Sequence, residues 1–177
     1  MKIICPELVI DEILLRPIVP PDLDHIYQGL SHPDVIRYYG ISYKTRSETE
    51  AQMKWYQQIA EEGSGVWWAI VSRYGTDFYG ACGFNNYSQV HRKAEIGFWL
   101  LPEYWGLGII ASSVRLICDH AFSKMGLHRI EAVVETANHS CKQVMQKLGF
   151  LLEGTMQDAE VKDEQFISLH LYALLNK

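Results

Sequence analysis

The sequence predicts a mixed α/β fold, of the α+β type, built on a largely antiparallel sheet. Three observations carry this. Strand-like and helix-like segments follow one another without the long βαβ series of a doubly wound fold. Three strand candidates in the middle of the chain are separated only by turn residues, as in a meander. Apolar residues make up 48% of the 177 residues and charged residues 21%, ordinary for a chain that buries a core. At roughly 150 residues per domain, residues 1–177 read as one domain.

The elements follow in order. Ile13–Val19 is apolar and β-branched and reads as a strand that Pro20-Pro21 ends. Pro21 suits the start of a helix over Asp22–Leu30. His32–Tyr39 reads as a second short helix closed by Gly40. Ser47 and Glu50 form a capping-box signal, and the helix Glu48–Glu62 behind it places Ala51, Trp55, Tyr56 and Ile59 on one stripe. The meander is Val66–Tyr74, Phe78–Asn86 and Lys93–Leu101. In Ile109–Met125 the residues Ile110, Val114, Ile117, Ala121 and Met125 share a face, with Gly126 as C-cap. Arg129–Thr136 alternates as a strand. Asn138–Leu148 is a helix with Cys141, Val144, Met145 and Leu148 inward, and Phe150–Asp158 and Phe166–Leu174 are closing strands.

Charge and composition demote or exclude several classes. Sixteen basic and 21 acidic residues give a net charge of −5, the wrong sign for a protein that wraps duplex nucleic acid. No run approaches the roughly 18 apolar residues of a membrane span. Glu7, Asp11 and Glu12 interrupt the N-terminal stretch, so it is neither a signal nor a transit peptide. Cys5, Cys82, Cys118 and Cys141 show no paired-ligand spacing; they read as reduced thiols of a cytoplasmic protein, with no metal.

The sharpest local signal is the turn Leu101–Ser112, with Gly106 and Gly108 ahead of a helix. Two glycines let several amide N–H groups converge at a helix N-terminus, which suits a phosphate. A P-loop is excluded, because no Lys-Ser/Thr follows the second glycine. Gly106-x-Gly108-x-x-Ala111 also fits a dinucleotide fingerprint, with Glu131 about 20 residues on, but Pro102–Trp105 separate it from the strand. A plain strand–helix connection is the remaining alternative.

The segment Ala94-Glu-Ile-Gly-Phe-Trp-Leu-Leu-Pro-Glu-Tyr-Trp-Gly-Leu-Gly108 resembles the central strand and pyrophosphate loop of the GNAT superfamily of N-acetyltransferases. The likeness is strongest to the branch named for ribosomal-protein N-termini. Leu127-His-Arg-Ile-Glu131 with Asn138 to Phe150, Leu15-Arg-Pro17, His32 to Gly40 and Leu169 to Leu174 resemble that branch in the same order. Four positions depart from the superfamily pattern. Trp105 opens the loop motif, as is common in this branch, Ile110 ends it, Met145 stands where many members carry a tyrosine acid, and Cys141 stands where this branch carries a serine.

The resemblance implies a sheet of about six to seven strands flanked by about four to five helices, with a splayed parallel pair, Glu95–Leu101 and Arg129–Thr136, forming a coenzyme cleft. It implies acetyl-CoA as co-substrate and direct attack by a primary amine, on a small molecule or a protein N-terminus. Main-chain groups of Phe98, Trp99 and Leu100 would hold the pantetheine arm, one N–H near Trp99 or Leu100 polarising the carbonyl. Trp105, Gly106, Leu107, Gly108, Ile109, Ile110 and Ala111 would hold the pyrophosphate. Asn138 has two readings, a helix N-cap alone or, as the resemblance implies, a cap that also touches the coenzyme arm. Glu95, on one face with Gly97 and Trp99, is the first candidate for general base, ahead of Glu131 and Glu135. The alternative for Glu95 is a solvated carboxylate paired with Arg92 or Lys93. Cys141 is a candidate acid or thiolate contact, against a buried apolar filler. Tyr38, Tyr39 and Asn85 are candidates for the acceptor wall. A monomer or homodimer, without nucleic-acid or membrane partners, is expected. The rival readings are a non-catalytic acyl-CoA sensor and a dinucleotide-dependent oxidoreductase.

Overall fold

The computed structural model describes residues 2–177. Its strands and helices in chain order are β1 (Leu8–Ile10), β2 (Ile13–Pro17), α1 (Leu23–Ser31), α2 (Pro33–Ile36), α3 (Arg46–Glu62), β3 (Val66–Ser72), β4 (Phe78–Ser88), β5 (Lys93–Leu100), α4 (Ile109–Ser123), β6 (Arg129–Glu135), α5 (His139–Lys147), β7 (Leu151–Lys162) and β8 (Gln165–Leu175). The strands form one eight-stranded sheet in the order β1-β2-β3-β4-β5-β6-β8-β7. Every neighbouring pair is antiparallel except β5–β6.

Each face of the sheet carries its own core. On one, Trp68, Ile70, Phe84 and Ile96 pack with Val114 and Ile117 of α4 and Met145 of α5. On the other, Trp67, Ala69 and Trp99 pack with Ile26 and Leu30 of α1 and Tyr56 and Ile59 of α3. Strand β3 feeds both, which is why Val66–Val71 is apolar throughout instead of alternating.

Several boundaries differ from the sequence expectation. β1 is an additional strand of three residues, joined to β2 by a tight turn in which Asp11 takes φ 50°. α2 ends at Ile36 instead of reaching Tyr39. The α3 cap is Thr45, whose Oγ1 accepts from Glu48 N–H at 3.2 Å, while Glu48 accepts from Lys44 N–H. The Ser47–Glu50 box is thus out of register, and the buried stripe is Thr49, Gln52, Tyr56 and Ile59, with Ala51 exposed. β7 runs on to Lys162 through irregular pairing between Met156 and Glu160.

Two close fits set α1 beside β5. Arg16 at the end of β2 grips Asp22 with two hydrogen bonds of 2.7 and 2.8 Å, and Asp22 also accepts from Val19 N–H. A bidentate pair of this kind fixes orientation as well as adding energy. Gly29 of α1 lies against the Trp99 ring, where an added Cβ would come within 2.0 Å. At Gly80 of β4 an added Cβ would meet the Trp99 carbonyl at 2.2 Å and the Leu100 Cα at 2.8 Å. Backbone cannot give way as a side chain can, so Gly80→Ala should lose about 2 kcal/mol or more in urea unfolding. Gly154→Ala, with nothing within 4 Å, should stay within about 0.5 kcal/mol of the wild type.

Candidate active site

β5 and β6 share the register pairs Lys93↔Arg129, Ala94↔Ile130 and Glu95↔Glu131, and then part. β5 continues to Leu100 and β6 to Glu135, each bonded on its outer edge to β4 or β8. Residues 96–100 and 132–135 therefore face each other across a gap with backbone groups that no strand satisfies. The gap opens into a cleft of about 780 Å³. Phe98, Trp99 and Leu100 form one wall.

The glycine loop forms the end of the cleft. Gly106 (φ 77°) and Gly108 (φ 79°) are left-handed, and neither would meet a neighbour on gaining a Cβ. Glycine is required there by backbone conformation, not by space. Gly108 caps α4 without a side-chain cap, and the helix closes with Ser112 N–H donating to Gly108 O. The N–H groups of Ile109, Ile110 and Ala111 are thus left without a helical acceptor, at the positive end of a 15-residue helix. Residues 101–112 contain no Lys or Arg, so the cradle is made of backbone. Trp105 folds back, its indole N–H donating to Leu100 O at 2.9 Å. Leu107 is 67% exposed and does not line the cleft.

Helix α5 forms the opposite wall. Asn138 Oδ1 accepts from Cys141 N–H at 3.1 Å, so it caps the helix, and both residues line the cleft. Ser140, Gln143, Val144 and Lys147 line it too. Val144 belongs to the apolar stripe of α5, whereas Ser140, Gln143 and Lys147 are polar positions beside it that carry no distinguishing sequence signal. Met145 is fully buried in the core below.

At the other mouth, Arg37, Tyr38 and Tyr39 line the cleft from the segment after α2. Burial, with Tyr56 and Tyr43 nearby, raises the Tyr39 phenol well above its usual range, so it stays protonated. Glu95 and Asn85 are not on the cleft wall. They face each other across the β4–β5 ladder, at the vertex where β5 and β6 diverge. Asn85 Oδ1 accepts from Trp67 Nε1 at 2.7 Å, and Glu95 accepts from Asn86 Nδ2 at 3.1 Å. Lys93 and Arg129 both bind Glu131, and Arg92 donates to Gly126 O. Among the described residues Glu95 joins no ion pair, so the expected alternative partners are engaged elsewhere. Desolvation works against the Glu131 carboxylate, but its bonds to Arg129 and Lys93 prevail and hold its pKa below the usual range. Glu135 is held by Lys162.

Among the described residues no group of His, Cys, Asp or Glu could hold a metal ion, and no helix is long and apolar enough to cross a membrane. The one parallel strand pair does not make the parallel sheet a doubly wound dinucleotide fold requires. Burial pushes the Cys141 thiol up to about 12. At pH 8 its thiolate fraction is then about 10⁻⁴, far below that of an ordinary thiol. Iodoacetamide should label Cys141 at pH 8 at least ~100-fold more slowly than a free cysteine peptide, followed by mass spectrometry. Equal rates would contradict the buried thiol.

Comparison with known proteins agrees with this geometry. The family model for the acetyltransferase (GNAT) domain matches residues 12–151. The uncharacterised N-acetyltransferase YoaA of Bacillus subtilis is 30% identical over 171 residues, 96% of this chain and 97% of that protein. The ribosomal-protein-serine acetyltransferase of Escherichia coli is 30% identical over 97 residues, 55% of this chain and 54% of that protein. A crystal structure of spermidine N-acetyltransferase from Vibrio cholerae, in complex with CoA and spermine, superposes with a TM-score of 0.83 at 19% identity. The match covers 93% of this chain and 95% of that one. With its splayed strands, its backbone cradle and a family match over most of its length, the chain belongs to the GNAT acetyltransferases, acyltransferases that use acetyl-CoA as co-substrate.

Proposed function

We propose that this protein transfers the acetyl group of acetyl-CoA to a primary amine by direct attack in a ternary complex. The observation that carries the reading is the end of the β5–β6 ladder at Glu95↔Glu131, which leaves two strand edges open beside an uncapped helix N-terminus. The residues present fit the coenzyme. Amides from Gly106 to Ala111 would take the pyrophosphate without help from a basic side chain. Open edges at Phe98–Leu100 would bond the pantetheine arm as an added strand. Asn138 would contact the arm while capping α5. Acetyl-CoA supplies the activated acyl carbon and a thiolate leaving group.

The chain's own groups then divide the work. A backbone N–H near Trp99 or Leu100 stabilises negative charge developing on the carbonyl oxygen. Glu95, at the vertex and in no ion pair among the described residues, takes the proton released by the amine, directly or through water. Cys141 holds its proton too tightly to give it away at neutral pH, so it acts at most as an S–H donor against the leaving sulfur. The leaving thiolate would take its proton from solvent. Tyr38 and Tyr39 wall the acceptor side, while Asn85 stays behind the wall, bonded to Trp67 Nε1. Relatives with ribosomal-protein and spermidine acceptors support a cationic amine as the substrate class.

Acetyl-CoA should raise the melting midpoint, and amines should release thiol detectable with a disulfide reagent. Glu95→Gln should lower kcat/KM by about 10²-fold and leave the melting shift intact. Cys141→Ala should cost less than about 10-fold. A Glu95→Gln enzyme of wild-type rate would remove Glu95 as the base. No melting shift with acetyl-CoA would overturn the assignment of the loop.

A further inference from the structure

Lys162 lies at the tip of the β7–β8 hairpin, on the strand at the sheet's far edge. Its side chain nonetheless reaches the acceptor side of the cleft. Nζ donates to Glu135 Oε1 at 2.5 Å and to the Arg37 carbonyl oxygen, and it stands 5.7 Å from the centroid of the Tyr38 ring. A carboxylate, a carbonyl and an aromatic face make a complete recognition set for an ammonium ion. The Glu135 side chain is only 14% exposed and that of Lys162 29%, so the cradle is shielded from water. Two of its three parts, Arg37 and Tyr38, belong to the cleft wall.

We propose that this cradle is an ammonium subsite of the acceptor site, which Lys162 fills until an acceptor's own alkylammonium group displaces it. The inference rests on the amine-acetylating reading above and narrows its substrate class to amines with a second cationic group. Three observations carry it. The lysine side chain is itself an aminobutyl group, so the cradle already fits the ligand chemistry. Glu135 lies on the same face as Glu131 and hence as Glu95, four residues further along β6, or ~13 Å from the vertex. One flexible acceptor therefore reaches from the reacting amine to the cradle. Finally, Lys162 is carried by a hairpin strand whose residues before it, Leu151 to Val161, are all exposed, with irregular pairing between Met156 and Glu160. Little packing holds the tip once its ammonium is replaced.

The test is calorimetric titration of the CoA-saturated protein, in which no turnover occurs, with spermidine and with a short lysine-containing peptide. A peptide carrying norleucine in place of the lysine is the uncharged control. Lys162→Met should bind the cationic ligand about 10-fold more tightly than the wild type, and Glu135→Gln about 10-fold more weakly. The double variant should lose the gain. The arm that responds, polyamine or peptide, identifies the source of the ammonium. Lys162→Gln replaces Lys162→Met if the latter shows no cooperative melting. Affinities within twofold across all the variants would overturn the proposal and leave the contact as a structural strap. If CoA itself produces no melting shift, the acetyltransferase reading fails, while spermidine titration of the CoA-free protein still decides the cradle.

Discussion

The parallel ladder between β5 and β6 ends at Glu95↔Glu131, and from there two backbone edges diverge inside a folded protein. Buried amide and carbonyl groups ordinarily find partners, because leaving them dry and unpaired costs as much as a lost hydrogen bond. Here the outer edges are tied to β4 and β8, so neither strand can move over to close the gap. Phe98 and Leu100 pack toward α4 and α5, while Trp99 is locked against Gly29 of α1 on the other face. The gap is maintained by packing on both sides, and a ligand with its own amides is the natural partner for it.

The two ends of the cleft use different electrostatics. At the α4 end, positive potential comes from aligned peptide dipoles and unpaired N–H groups, in a loop that contains no basic side chain. That arrangement is rigid and needs no long side chain to be ordered on binding. At the other end, around the β5–β6 vertex, charge is carried by side chains. Glu131 is neutralised by Lys93 and Arg129, and Glu135 by Lys162. Among the described residues Glu95 joins no ion pair and accepts from the Asn86 amide.

Much of this was legible in the residues. The double glycine before a helical stripe located the loop, because left-handed backbone at two nearby positions leaves few alternatives to glycine. Period-two alternation placed Glu95 with Gly97 and Trp99. The inward stripe of α5 was found from Cys141, Val144, Met145 and Leu148. Other features escaped for definite reasons. β1 is too short to show a period. The α3 cap slipped because Thr45-x-x-Glu48 and Ser47-x-x-Glu50 satisfy the same pattern, and only the buried stripe separates them. Lys162 gave no signal at all, since its partners Glu135 and Arg37 lie 27 and 125 residues away.

The sequence by itself determined the fold class and the glycine loop, since these follow from local backbone preference and periodicity, and its resemblance to the family pointed to the strands that flank the cleft. Only the tertiary structure decided where the β5–β6 ladder stops, that Glu95 stands at that vertex with no ion pair among the described residues, and that a lysine from the far edge of the sheet reaches Glu135 and Arg37 beside the cleft. Those facts depend on which distant backbone and side-chain groups compete for the same partners, and no local pattern encodes the outcome of that competition.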